Sequence, residues 1–299
     1  MIDLLRTYYE DKSKIEKIIV EGDLFEEVNM PTNLKTGQQS YPITAAKDGI
    51  LMSIDEYHSF AISKIFIVHN NKAKKGERIK YFENIKFSQL NKTVKYLHEF
   101  LPYYGQNKVS RIDLVFFIPT EIQAKEIIKT NILKHKSKDY NHNKNLKKGI
   151  ELKEFDYENY KIGFYATKKG DDRFTLKVLL SMKKSAEFKV LNIKKPLDIL
   201  TKEILTLLFS IFMKRFKEVV IVDSYNNVEE KNITEKDSLQ LKQFLNNRYW
   251  SDLSERYSRT TVSKKRILFK SLIMKYNLDT IKLKFIRELE KKFKEFINN

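Results

Sequence analysis

The chain has 299 residues, enough for one large domain or two small ones, and its 41% hydrophobic content excludes wholesale disorder. With 57 Lys and Arg against 39 Asp and Glu, the formal charge is +18, which points to a polyanionic partner, nucleic acid first and an anionic membrane surface second, or alternatively to a Lys-rich coding bias. The chain has no cysteine, so disulfide scaffolds, Cys-ligated zinc, iron–sulfur clusters and thiol catalysis are excluded.

The N-terminal run MIDLLRTYYE lacks the basic start and apolar stretch of a signal peptide. Residues 1–30 are acidic, with four basic and eight acidic side chains, so the rest of the chain carries +22. Runs rich in Ile, Val and Phe at 15–20, 50–54 and 60–68 are expected strands. The basic segment KAKKGERIK at 72–80 follows. Phe87, Leu90, Val94, Leu97 and Leu101 recur at helical spacing, with Ser88 as a cap and a stop near Pro102 and Gly105. A strand is expected over 109–118, ending at Pro119, and Thr120 can cap a helix over 121–133. The stretch KHKSKDYNHNKNLKK at 134–148 reads as a polar surface loop, and strands follow at 160–165 and 173–180. Helices between strands able to pair as hairpins predict an α+β fold with an antiparallel sheet and flanking helices over 1–225.

Residues 226–299 are expected to form a mainly helical, basic region. Just before it, ILTLLFSIFM at 204–213 reads as a buried helix, being far shorter than the ~20 residues that cross a bilayer, and 219–222 is a short strand-like run. A cytoplasmic protein with no membrane partner is expected. Thr234 opens a capping-box-like TEKD, and Ile286, Leu289, Phe293 and Phe296 form the packing stripe of the last helix. Residues 256–299 hold thirteen basic and four acidic side chains. No internal repeat is visible.

The strand VSRIDLVFFI puts Ile112, Leu114, Phe116 and Ile118 on one face and Arg111, Asp113, Val115 and Phe117 on the other. The first face belongs to a core, so Arg111 and Asp113 share the opposite one, as a structural ion pair or as part of a site. Tyr165 ends its strand with Lys168 and Lys169 close behind. Lysines beside a tyrosine can stabilise phenolate and bind a phosphodiester, although packing is the alternative role for one of 16 tyrosines. In the C-terminal region, Arg259, Lys264, Lys265 and Arg266 precede an apolar face of Ile267, Leu268, Leu272 and Ile273. This arrangement fits either a helix-turn-helix-like DNA-recognition element or an ordinary basic surface helix.

The order SKIF (63–66), HNN (69–71), a helix, an RID strand, a polar loop, a strand ending in FY with Lys after it, and a strand opening with Arg173 resembles replication initiators of the filamentous-phage gene II type. These are similar in turn to rolling-circle plasmid initiators, and the resemblance spans about residues 54–222. It implies a nuclease that joins a tyrosine to a 5′ phosphate with a divalent metal. On that basis Tyr165 would be the nucleophile, Lys168 a phosphate partner, and Asp113 a ligand of Mg²⁺ or Mn²⁺, with Glu151, Glu154 or Asp156 completing the set, Glu154 foremost. Arg111 and Lys169 would contact DNA, and independently of the resemblance so would Arg259, Lys264, Lys265 and Arg266 of the helix-turn-helix-like element. Ala166 stands where such families commonly have Asp, and Lys177 where they have Glu; none of His58, His69, His98, His135 and His142 forms a His–hydrophobic–His pair. The expected function is therefore a phage or plasmid replication initiator that binds origin DNA and nicks one strand. The alternatives are a non-catalytic origin or operator binder, acting as a homodimer, or an RNA-binding protein.

Overall fold

A computed structural model describes residues 1–9, 12–22, 25, 27–47, 50–57, 60–67, 86–101, 104–136, 138–140, 151–166, 173–183, 185–223 and 232–298. The fold is α+β, with a mainly helical C-terminal region. Nine strands form one sheet in the order β2-β3-β4-β5-β1-β6-β10-β9-β8, and every neighbouring pair is antiparallel. They are β1 (Ile2–Tyr9), β2 (Glu27–Asn29), β3 (Ile43–Lys47), β4 (Ile50–Tyr57), β5 (Phe60–Ile67), β6 (Lys108–Pro119), β8 (Leu152–Asp156), β9 (Tyr160–Ala166) and β10 (Thr175–Met182). A separate ribbon pairs β7 (Ile132–His135) with β11 (Val219–Ile221).

The sheet has a repeat that the sequence does not display. After β1 the chain forms helix α1 (Lys12–Glu21) and then the meander β3-β4-β5, whose last strand returns to pair with β1. After β6 it forms a short helix α3 (Ala124–Glu126) with a π turn (Ile127–Asn131), then β7, then the meander β8-β9-β10, whose last strand pairs with β6. Strands β1 and β6 join the two halves.

The alternation expected of β6 holds: Ile112, Leu114, Phe116 and Ile118 are all buried against helices. Over them lies α5 (Lys202–Lys217), which buries Leu205, Leu208, Phe209, Phe212, Met213 and Phe216 at helical spacing. Its Thr201 cap accepts from the Ile204 amide at 3.2 Å, and Lys214, Arg215 and Lys217 complement the dipole at the other end. The last helix, α9 (Thr280–Asn298), returns to this core, where Phe293 stacks on Phe209 at 4.0 Å between centroids and Phe296 meets Phe87 of α2 (Phe87–Phe100). Burying each such side chain contributes about 2–3 kcal/mol. The helical region beyond residue 226 is thus divided in its packing. Helices α6 (Glu235–Leu245), α7 (Asn247–Arg256) and α8 (Arg259–Lys275) surround a second core of Phe244, Trp250, Val262, Phe269 and Leu272, to which Leu133 and Val222 also belong.

Several expectations are corrected. Residues 15–20 lie in helix α1, not a strand; the β-branched run reads as a strand, but Ile18 and Ile19 pack a helical face onto the core. The helix expected over 121–133 is reduced to α3 and its π turn, because Ile132 already pairs in β7 and the Thr120 hydroxyl donates to the Phe174 carbonyl at 2.8 Å instead of capping. The polar loop expected from residue 134 begins as strand, with Lys134 and His135 buried. The segment expected as a loop before Tyr160 contains β8. The basic segment at 72–80 and the HNN triplet lie outside the described residues.

Candidate nucleic-acid interface

On β6 the alternation that buries Ile112 and Leu114 turns Arg111 and Asp113 to the opposite side of the sheet. There the guanidinium grips the carboxylate with two bonds, Nε to Oδ1 and Nη2 to Oδ2, both 2.7 Å. Three strands further out, Glu154 of β8 stands opposite Gly163 of β9. A Cβ at Gly163 would lie 2.7 Å from the Tyr165 hydroxyl, so the missing side chain lets the tyrosine ring fold back across the strand. The hydroxyl then donates to Glu154 Oε1, which also accepts from Lys161 Nζ at 2.7 Å. Lys177 pairs with Asp3, and Lys183 with Asp156, each at 3.3 Å. Burial, followed by the bond to Glu154, raises the Tyr165 phenol above its ordinary range. A buried phenol donating to a carboxylate is held as the neutral acid.

The fold therefore brings together Arg111, Asp113, Glu154 and Tyr165 from strands β6, β8 and β9. Lys168 and Lys169 lie outside the described residues. As arranged, the described carboxylates do not make a divalent-ion site: both Asp113 oxygens face Arg111, Glu154 Oε1 is shared by Lys161 and Tyr165, and Asp156 faces Lys183. Among the described residues no three of His, Asp and Glu are grouped to hold a metal. We draw no step through Mg²⁺ or Mn²⁺ from this geometry.

The second basic surface is built by α6, α7 and α8. Thr234 caps α6, accepting from the Asp237 amide as TEKD predicts, and Asp237 then binds Lys275 at 2.8 Å and the Tyr276 hydroxyl at 2.7 Å, tying α6 to the end of α8. Between the helices the Trp250 indole donates to the Phe244 carbonyl at 2.7 Å, and the rings of Phe244, Trp250 and Phe269 meet at 5.4–5.8 Å. Only Tyr257 and Ser258 separate α7 from α8, and Ser258 caps α8 by accepting from the Thr261 amide. Val262 is buried at this junction, which turns Arg259, Thr260, Ser263 and Lys264 outward into solvent. The first turn of α8 has no acidic residue. Lys265 is half-buried, and Arg266 turns inward, where its Nε is buried.

No protein-family model and no curated protein matches the chain.

Three functional positions escape the sequence reading. Lys161 and Lys177 neutralise Glu154 and Asp3 across the sheet, and only strand register reveals those pairs. Lys134 is concealed within a polar stretch; the run Ile132, Leu133, Lys134, His135 after Asn131 was the available strand signal. No described helix is long and apolar enough to cross a membrane.

Proposed function

We propose that this chain is a DNA-binding protein of the replication-initiator kind, which recognises an origin or operator through the α7–α8 pair. The observation that carries this reading is the start of α8. Arg259 projects into solvent from a first helical turn that carries no carboxylate, where a cation opposes the helix dipole, and Lys264 projects into solvent from the following turn. Phosphate oxygens would reverse that penalty, and Ser263 and Thr260 add hydroxyl donors for backbone or base edges. The charge of +18 and the resemblance of the RID and FY strands to phage and plasmid initiators support DNA as the polyanion.

In this reading the sheet face is a framework of neutralised charges. Tyr165 closes a hydrogen bond over Gly163 and keeps its proton. Strand nicking by Tyr165 with Mg²⁺ or Mn²⁺ is the second reading, favoured by the Tyr165–Glu154 contact, in which the carboxylate is placed to accept the phenolic proton.

Anisotropy titrations with duplex DNA, single-stranded DNA and structured RNA separate the partners. The double variant Arg259→Ala/Lys264→Ala is expected to lose about tenfold or more in DNA affinity and to flatten the salt dependence by about one to two charges. Preference for RNA, or an unchanged affinity in the double variant, rejects the proposal. Incubation of the wild type with labelled single-stranded origin DNA and Mn²⁺ is expected to give no covalent adduct. An adduct that Tyr165→Phe abolishes would establish the nicking reading instead.

A further inference from the structure

Strand β7 carries Lys134 into the interior, where it is 5% exposed. Its ammonium lies 3.5 Å from the centroid of the Trp250 ring, and its Nζ has no hydrogen-bond acceptor among the described residues. Arg266, on the inward side of α8, likewise leaves its Nε buried without an acceptor. The two cations feel each other: burial, then the neighbouring Arg266, lower the Lys134 ammonium to about 7. Both line a cleft of about 580 Å³ between α8 and the β7–β11 ribbon, a volume typical of ligand sites. Six of its lining residues are Lys or Arg, against two carboxylates, Glu218 and Asp279. Glu218 is already drawn off by Lys136 at 3.3 Å and Arg215 at 3.6 Å.

Buried cations with no acceptor are costly in a folded chain. Here the chain sets a buried lysine beside a half-buried arginine whose Nε has no acceptor, and leaves open space in front. Trp250 offsets part of the cost through its ring face, but a cation–π contact leaves the N–H donors unsatisfied. A ligand that brings several anionic oxygens satisfies both groups at once, and phosphate matches the planar donor fork of arginine as well as the point charge of lysine. The lining is apolar next to Arg266, where Phe269 and Ile273 follow it on the same face of α8, and suits a flat uncharged group attached to that phosphate.

We propose that this cleft is a phosphate-binding site, in which Lys134 and Arg266 share the anionic oxygens of a nucleotide-sized ligand whose base rests against Phe269 and Ile273. The site stands independently of the DNA reading. Its ligand chemistry is a nucleoside phosphate, supplied either as a free mononucleotide or as one nucleotide of a bound strand.

Trp250 is the single tryptophan of the chain and touches Lys134, so its emission reports occupancy directly. The full-length protein is titrated with inorganic phosphate, thymidine, thymidine 5′-monophosphate and a short oligothymidylate, with calorimetry alongside. Saturable quenching or a shift of Trp250 emission is expected with the monophosphate and none with thymidine at equal concentration. Inorganic phosphate is expected to bind at least tenfold more weakly. Lys134→Met and Arg266→Gln should each weaken the monophosphate response at least tenfold, with circular dichroism confirming that both variants fold. A response to oligothymidylate alone assigns the phosphate to a strand, and a response to the monophosphate assigns it to a free nucleotide; either sustains the phosphate site. Equal binding of thymidine and its monophosphate, silence of Trp250 towards every phosphate-bearing ligand, or responses unaltered in both variants would overturn it.

Discussion

The sheet face around Glu154 and the cleft beside α8 both gather cations, and they differ in what those cations meet. On the sheet, Arg111 grips Asp113 with two bonds, Lys161 reaches Glu154, and Lys177 and Lys183 find Asp3 and Asp156. In the cleft, Lys134 and Arg266 lie near each other without an acceptor for Nζ or Nε. A self-neutralised cluster adds to the fold without needing anything from solution. A cluster of one sign keeps an unmet demand, and that is where an outside anion gains most.

The largest effect that tests this comparison is expected at Glu154. Glu154→Ala leaves the Lys161 ammonium and the Tyr165 hydroxyl without their shared acceptor, and should lower the unfolding free energy by about 3 kcal/mol in a urea titration. A loss under about 1 kcal/mol would place this pair with ordinary surface ion pairs and weaken the contrast.

The opposite sign is expected in the cleft, where Lys134→Met removes a buried charge whose Nζ has no hydrogen-bond acceptor and should stabilise by about 2 kcal/mol. The same group governs a pH dependence. The folded-state value of about 7 lies below the ordinary 10.5, so between those two values the unfolded chain holds more protons. Stability therefore rises with pH through that window and is least below about pH 7. Arg266 pushes in this direction and Asp139 opposes it. In Lys134→Met the rise should shrink to what the other buried ammonium groups supply, chiefly Lys153, which burial lowers to about 8, and Lys282, which burial also lowers. A wild-type stability that stays flat on the alkaline side would show that Lys134 reaches water.

The smallest effect is expected at Tyr165. Tyr165→Phe removes one hydroxyl while Lys161 still serves Glu154, and should cost about 1 kcal/mol in the same urea titration. A cost approaching that of Glu154→Ala would mean that the phenol, not the lysine, holds the carboxylate in place.

Much of the central architecture could be read from period alone. Strand β6 declares itself by the unbroken apolar face of Ile112, Leu114, Phe116 and Ile118, α5 by its apolar run, and α6 by the TEKD cap. Helix α1 misled because β-branched residues suit a strand locally, while its place on the core is a tertiary matter. Strands β2 and β3 lack a strong alternating pattern and exist through their neighbours. Of the candidate site, Arg111 and Asp113 were legible as a pair because two residues on one strand share a face. The bond from Tyr165 to Glu154 was not, since it depends on the register of β8 against β9 and on the missing side chain of Gly163. The cleft was hidden for a similar reason: Lys134 and Arg266 are separated by more than a hundred positions and meet only through the packing of the second core.

The repeat in the sheet has a consequence for how the chain folds. Its two halves meet where β1 pairs with β6, a contact between residues 104 positions apart at Arg6 and Ser110. Each meander can form from neighbouring strands, but its first strand must wait for the last one to return before the half is complete. Helices α6 to α8, by contrast, are joined by short turns and make mostly local contacts. The C-terminal helical cluster is thus expected to form fast and the central seam slowly, so that in refolding the surface proposed to hold DNA would precede the closing of the sheet.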